Sequence, residues 1–233
     1  MNRQSPNFGP RQPVDGLVGV RLLVVHYTGM VSAAAALDRL RDPASQVSAH
    51  YLIDEDGTTH ALVDEAHRAW HAGVAYWRGM RDINSASIGI ELVNPGHEFG
   101  YRPFPSLQID TFAALARDIM GRHGLNAWDV VGHSDIAPGR KQDPGELFPW
   151  RELAERGIGI WPLAPPLKGE EKGVWPLLAG IGYAVPGGAG ADILDPSTAE
   201  RDVISAFQAH FRPELVDGQA DPETLARIAA LLP

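Results

Sequence analysis

The sequence predicts an α/β fold, a mixed central β-sheet flanked by helices, followed by a small three-helix C-terminal domain. Three observations predict it. Short apolar, β-branched runs at 20–25, 88–93 and 129–132 are separated by stretches with helical periodicity. Two further strand-like runs flank Asp56-Gly57, a hairpin-turn dipeptide. Beyond Trp161 the composition shifts to Pro, Gly and charge, and only helical patterns follow.

The elements follow in order. The run at 20–25 reads as a buried strand, with His26 directly after it. Residues 32–40 are Ala-rich and helical. Residues 50–54 and 58–63 are the arms of the hairpin. The run at 88–93 is a second buried strand with Glu91 inside it. Leu107, Phe112, Leu115, Ala116 and Ile119 make 105–123 an amphipathic helix that stops near Gly124. A short strand at 129–132 ends on His133. The segment WPLAPPLKGEEKGVWP reads as a linker, so the chain divides into 1–163, a linker at 164–175 and a C-terminal unit at 176–233. In that unit 175–182 is helical. Ser197 and Glu200 have capping-box spacing at the start of a helix over 198–211. Asp221-Pro222 opens a last helix over 223–232.

Composition excludes several classes. The chain has 233 residues, is 44% hydrophobic and 21% charged, and carries a net charge of −9. Such acidity argues against nucleic-acid binding. The absence of cysteine excludes a disulfide framework, a Cys-ligated zinc and a cysteine nucleophile. No stretch has the roughly 18 apolar residues of a membrane span. The start MNRQSPNFGPRQPVDG lacks the apolar core of a secretory signal, so a cytoplasmic location is expected.

Taken singly, each of the nine histidines reads as an ordinary core or surface residue. Context separates two of them. His26 and His133 each end an apolar strand, where a rigid sheet presents side chains to a cleft. Asp143 follows His133 by ten residues in a loop shaped by Pro and Gly. Two imidazoles and a carboxylate suit Zn²⁺, and three protein ligands leave the fourth tetrahedral position open. Lys141, two residues before Asp143, shares its face if the segment is extended, or else it is a solvated lysine. Glu91 in a strand is costly unless paired or functional, or else it faces solvent on an edge strand. Trp70, Tyr76 and Trp77 are either sugar platforms or core aromatics. Arg78 and Arg81 either meet peptide carboxylates or are idle surface residues.

Five ordered segments, VVHYTG, SAHYLIDEDG, AWHAG, SIGIELVNPG and GHSDIAPGRKQDPG, resemble the type 2 N-acetylmuramoyl-L-alanine amidases, the AmpD/AmiD-type zinc amidases related in fold to peptidoglycan recognition proteins. The resemblance covers roughly residues 5–160. The tail, with its GY, FQ and DG-x-x-D-x-x-T elements, resembles the small three-helix peptidoglycan-binding domain. The resemblance implies Zn²⁺ held by His26, His133 and Asp143, with Glu91 and Lys141 as catalytic residues. Some relatives place a tyrosine before the histidine of the SAHY segment. Ala49 stands there in this chain, which leaves the base role to Glu91. Phage-type relatives often have Cys as third ligand, so Asp143 puts this chain on the bacterial side. His50 and His71 match family positions and read as residues that shape the cleft or support the ligands, with substrate contact as the alternative; Trp70 is a further candidate for substrate contact.

The implied reaction is hydrolysis of the amide between (anhydro-)N-acetylmuramic acid and L-alanine, with a muropeptide or peptidoglycan as substrate. The expected role is peptidoglycan recycling in the cytoplasm. Its rivals are an exported enzyme acting on intact wall in the periplasm or cell envelope, which the tail favours, and a non-catalytic recognition module.

Overall fold

The run LLVVHY forms an inner strand of a five-stranded sheet in the computed structural model, which describes residues 4–162 and 173–231. In chain order the elements are β1 (Phe8–Pro10), β2 (Leu22–Tyr27), α1 (Ala33–Arg41), β3 (Tyr51–Ile53), β4 (Thr59–Ala61), β5 (His67–Ala69), α2 (Ile83–Ala86), β6 (Ser87–Leu92), α3 (Gly96–Phe99), α4 (Ser106–His123), β7 (Val130–Gly132), α5 (His133–Ile136), α6 (Trp150–Glu155), α7 (Val174–Ile181), α8 (Ala199–Phe211) and α9 (Pro222–Ala230). The sheet order is β4-β3-β6-β2-β7. Neighbours from β3 to β7 are parallel, and β4 returns antiparallel to β3 through the Asp56-Gly57 turn. The mixed sheet flanked by helices is therefore the architecture the sequence predicts. β1 and β5 make a separate antiparallel pair.

Parallel strands are covered on both faces, which explains their continuous apolar runs. On one face Leu23, Val25, Ile88, Ile90 and Leu92 pack against Phe112, Ala116 and Ile119 of α4. Each such large apolar side chain, fully buried, contributes about 1.5–3 kcal/mol. α4 ends where expected, because Gly124 takes a left-handed conformation and its N–H bonds back to Met120. α1 starts on Ser32, whose hydroxyl accepts from the N–H of Ala35.

The other face carries Leu22, Val24 and Val131, and here the C-terminal helices enter. Leu178, Ile181, Tyr183, Phe207 and Phe211 join these strand residues, with Trp77 and Ile136, in one continuous core. The three predicted C-terminal helices are present, yet their core is shared with the sheet rather than separate. Small units bury too little apolar area to stand well alone, and this one merges instead. Most of the expected linker at 164–175 lies outside the described residues, and α7 already begins at Val174.

One cap differs from expectation. Ser197 does not cap α8; Thr198 holds that position, without a side-chain bond to the helix backbone. The Ser197 hydroxyl donates to Asp195 Oδ1 at 2.7 Å instead, a charge-assisted bond to a carboxylate two residues away. Asp221 caps α9 as expected, accepting from the N–H of Thr224, with Pro222 in the first turn.

Candidate active site

Strand register sets the site. β2 and β6 run parallel with His26 opposite Glu91, so both side chains leave the same face at the carboxyl ends of their strands. Open α/β sheets bind ligands at that end. β6 is the central strand, so Glu91 does not face solvent from an edge. Its side of β6 reads Ser87, Gly89, Glu91, while Ile88, Ile90 and Leu92 fill the opposite core. β7 delivers His133 from the other side of β2, as the first residue of α5. The following loop folds back, with the Ser134 N–H donating to the Asp143 carbonyl at 2.8 Å.

His26, His133 and Asp143 converge in a buried cluster. Their facing atoms lie 2.9 Å (His26 Nδ1 to His133 Nδ1), 3.0 Å (His26 Nδ1 to Asp143 Oδ2) and 3.0 Å (His133 Nδ1 to Asp143 Oδ2) apart. The hydrogen bonds behind them fix where the protons are. The Ser87 hydroxyl donates to the Ile83 carbonyl at 2.6 Å, so its oxygen must accept from His71 Nε2 at 3.2 Å. His71 Nδ1 is then the acceptor for His26 Nε2–H at 3.0 Å, which leaves His26 Nδ1 as a lone pair. His133 Nε2 donates to the Ala72 carbonyl at 3.0 Å, which turns the Nδ1 of that ring toward the cluster. Two imidazole nitrogens and a carboxylate oxygen thus crowd together, each presenting an atom that can ligate a cation. That donor set fits a divalent cation and, with two N and one O, fits zinc with an open position.

The electrostatics agree. Burial, reinforced by His133, pushes His26 down to about 4, so the imidazole is neutral. Burial alone would raise the Asp143 carboxyl, yet His133 and His26 hold it well below the usual carboxylate range. Glu91 moves the other way: burial, with the charge of Asp143 adding, raises it well above an ordinary carboxyl, against Lys141. Its Oε2 is buried and has no hydrogen-bond partner among the described residues. Lys141 is exposed on the rim and makes no ion pair with the described residues. All five residues line one cleft of about 760 Å³, together with Trp70, His71, Tyr27 and Arg140. Arg140 is tied down by the carbonyls of Ala72 and Val74, each at 2.6 Å. A second groove of about 780 Å³, at the seam with α9, has no histidine among its lining residues.

The structure separates alternatives that the sequence leaves open. His50 does not reach the cleft and is corrected to an interior residue. It has no exposed surface; its Nδ1 accepts from the Gly89 N–H at 3.0 Å and its Nε2 donates to the His67 carbonyl at 3.1 Å. His71 acts on the cleft through His26, and its ring lies over β6 only because residue 89 is glycine. A Cβ there would sit 2.5 Å from the ring. Trp70 lines the cleft, whereas Tyr76 and Trp77 are core aromatics, Trp77 lying edge-on to Tyr183 at 5.0 Å. Arg78 and Arg81 serve the seam between the two parts of the chain. Arg78 donates to the Ile181 carbonyl at 3.0 Å, and Arg81 pairs with Asp192 at 2.5 Å. Sequence reasoning missed the orienting roles of Ser87 and Gly89. The alternation of small and apolar residues in SIGIEL was the available signal.

Burial also lowers His50 to about 4. The unfolded chain binds that proton near 6.5 and the folded chain does not, so the stabilisation is present above 6.5 and is lost as pH falls through about 4. His26 adds to the loss in the same window. Urea unfolding of metal-free protein should therefore show stability dropping between pH 7 and pH 4.5 by an amount on the order of a few kcal/mol. A flat profile over that range would contradict the neutral, buried assignment.

The N-acetylmuramoyl-L-alanine amidase family profile matches residues 16–146, and a second profile, named for peptidoglycan binding, matches residues 175–228. The chain is 40% identical over 247 aligned residues to the N-acetylmuramoyl-L-alanine amidase AmiD of Escherichia coli (strain K12), covering 95% of this chain and 86% of that one. A solved complex of AmiD from E. coli with the substrate anhydro-N-acetylmuramic acid-L-Ala-D-gamma-Glu-L-Lys superposes with a TM-score of 0.79 at 39% identity, covering 95% of this chain and 92% of that one. AmpDh3 from Pseudomonas aeruginosa, solved in complex with anhydromuramic pentapeptide, gives 0.77 at 34% identity, covering 98% and 94%.

Proposed function

This chain belongs to the N-acetylmuramoyl-L-alanine amidase family, and we propose that it hydrolyses, with zinc, the amide between anhydro-N-acetylmuramic acid and the L-alanine of soluble muropeptides. The observation that carries this reading is the convergence of three ligand atoms beside Glu91, whose Oε2 is enclosed without a hydrogen-bond partner among the described residues. His26, His133 and Asp143 would hold the ion. Zinc, when bound, supplies Lewis-acid polarisation of an amide carbonyl and brings the pKa of water toward neutrality.

The chain's own groups do the rest. Glu91 takes the proton from the attacking water and delivers it to the departing alanine nitrogen. Its raised carboxyl suits both halves of that exchange, since a group that gives up a proton too readily cannot return it. Lys141, without an ion-pair partner among the described residues, donates to the oxyanion as the carbonyl carbon becomes tetrahedral. His71 and Ser87 keep the His26 ring turned with Nδ1 inward. Trp70 and Tyr27 line the cleft in which the sugar and peptide would lie. Lys141→Ala should keep zinc and lose about 10²–10³ in turnover. Unchanged turnover would remove Lys141 from the mechanism.

The soluble substrate is favoured by the ligand of the AmiD complex, an anhydro-muropeptide, and by the C-terminal helices, which share a core with the sheet instead of reaching outward on a tether. We propose a recycling role on that substrate, and with it a cytoplasmic location. Mass spectrometry of zinc-loaded protein incubated with anhydro-muropeptide, and separately with intact sacculi, tests it. Stem peptide released from the soluble substrate alone supports recycling. Release from sacculi points to a wall hydrolase. Cleavage of neither, with zinc bound, returns the chain to a recognition role. Among the described residues no helix is long and apolar enough to cross a membrane.

A further inference from the structure

Asp135 lies two residues after His133 and has no place in the chemistry, yet it is 1% exposed and fully engaged. Its Oδ2 accepts from the Gly132 N–H at 2.7 Å, bracing the turn from β7 into α5 that aims His133. The same carboxylate accepts from Tyr183 Oη at 2.5 Å and from His210 Nδ1 at 2.7 Å. Both donors belong to the C-terminal part of the chain, 48 and 75 residues away. His210 sits between the rings of Trp150 and Phe211, each at 3.8 Å, and its Nε2 is buried with no partner among the described residues. An unpaired nitrogen inside an aromatic stack is costly, and the fold retains it for the bond on the other side of the ring. α8 also presses on the loop that carries Lys141 and Asp143, because a Cβ at Gly139 would collide with the Asp202 carboxylate. One helix therefore backs both arms of the ligand set.

We propose that the C-terminal helical unit presets the metal site, with Asp135 as the positioning residue and Tyr183 and His210 as the clamp that holds it. The inference rests on the zinc reading above and extends it: the unit whose family is named for peptidoglycan binding is here part of the scaffold of the ligand cluster. Removing partners that orient metal ligands typically weakens metal binding about 10–100-fold, and Tyr183→Phe and His210→Phe should each fall near the lower end, about tenfold.

The test is zinc affinity of the full chain, measured by competition with a chromophoric chelator, on variants that keep a cooperative urea transition. His210→Phe keeps the stacked ring and loses the donor. His210→Asn loses the ring and keeps a donor near the Nδ1 position. The clamp requires His210→Phe to lose zinc affinity and His210→Asn to stay near wild type. The opposite order would mean that ring packing alone matters, and it would overturn the proposal. So would wild-type affinity in both His210→Phe and Tyr183→Phe. His133→Ala separates the two layers of inference. If it binds zinc as wild type does, the metal reading falls and takes the clamp with it. If it loses zinc while the clamp variants do not, only the clamp falls.

Discussion

Glu91→Gln should lower kcat by about 10²–10⁴, the usual contribution of a positioned general base, with zinc content unchanged. The carboxamide has the same shape as the carboxyl and stays in the central strand, so β6 and its register with β2 are undisturbed. Only the capacity to take up and return a proton is lost. Stability should hold or rise, because a carboxyl whose enclosed Oε2 lacks a partner among the described residues is an expensive group to keep. The acid limb of the wild-type rate profile should belong to this residue and disappear with it. Three measurements check the claim: metal content by mass spectrometry, turnover of anhydro-muropeptide by chromatography, and a urea melt. A variant with full zinc and full turnover would falsify the base assignment. A variant that loses zinc would instead place Glu91 among the ligands.

His133→Ala should abolish zinc binding at micromolar concentration and reduce hydrolysis to background. The loss should exceed the roughly 10–100-fold typical of outer partners, because one of only three ligand atoms is gone. Two further signatures go with it. Wild-type protein should melt at a higher temperature with zinc than with a chelator, since an ion held at 100 times its Kd adds about 2.7 kcal/mol. The variant should not respond to either. The ion ties together three groups from β2, α5 and the following loop, so chelation should loosen the turn into α5 measurably by hydrogen exchange. A variant with wild-type zinc content would remove His133 from the ligand set and, with it, the reading of the cluster as a metal centre.

How much of this was legible in the sequence varies with distance along the chain. The end of α4 at Gly124 and the start of α9 at Asp221-Pro222 are local matters, decided within a few residues, and both stand where the sequence places them. The hairpin at Asp56-Gly57 is equally local. His26, His133, Asp143, Glu91 and Lys141 could be nominated because strand ends and a characteristic loop mark them, and the fold brings all five to one cleft. His50 could not be separated from them by motif alone. Its partners are the backbone of Gly89 and His67, which no side-chain pattern records. Nothing near Asp135 in the sequence marks it, because Tyr183 and His210, which engage it, arrive 48 and 75 positions later. The cap at Ser197 failed for a smaller reason, a competing carboxylate at Asp195.

The two sides of β6 live under different rules of change. On the α4 side, Ile88, Ile90 and Leu92 meet a broad apolar layer, where swaps that conserve volume usually cost less than about 1.5 kcal/mol. On the other side the imidazole of His71 occupies the space where a side chain at residue 89 would begin. A saturation library across SIGIEL should therefore return a striped tolerance map, permissive at even positions and nearly silent at 89. Adjacent codons in one strand would differ in their freedom to drift, because one face fills a volume and the other holds a ring in register with a metal ligand.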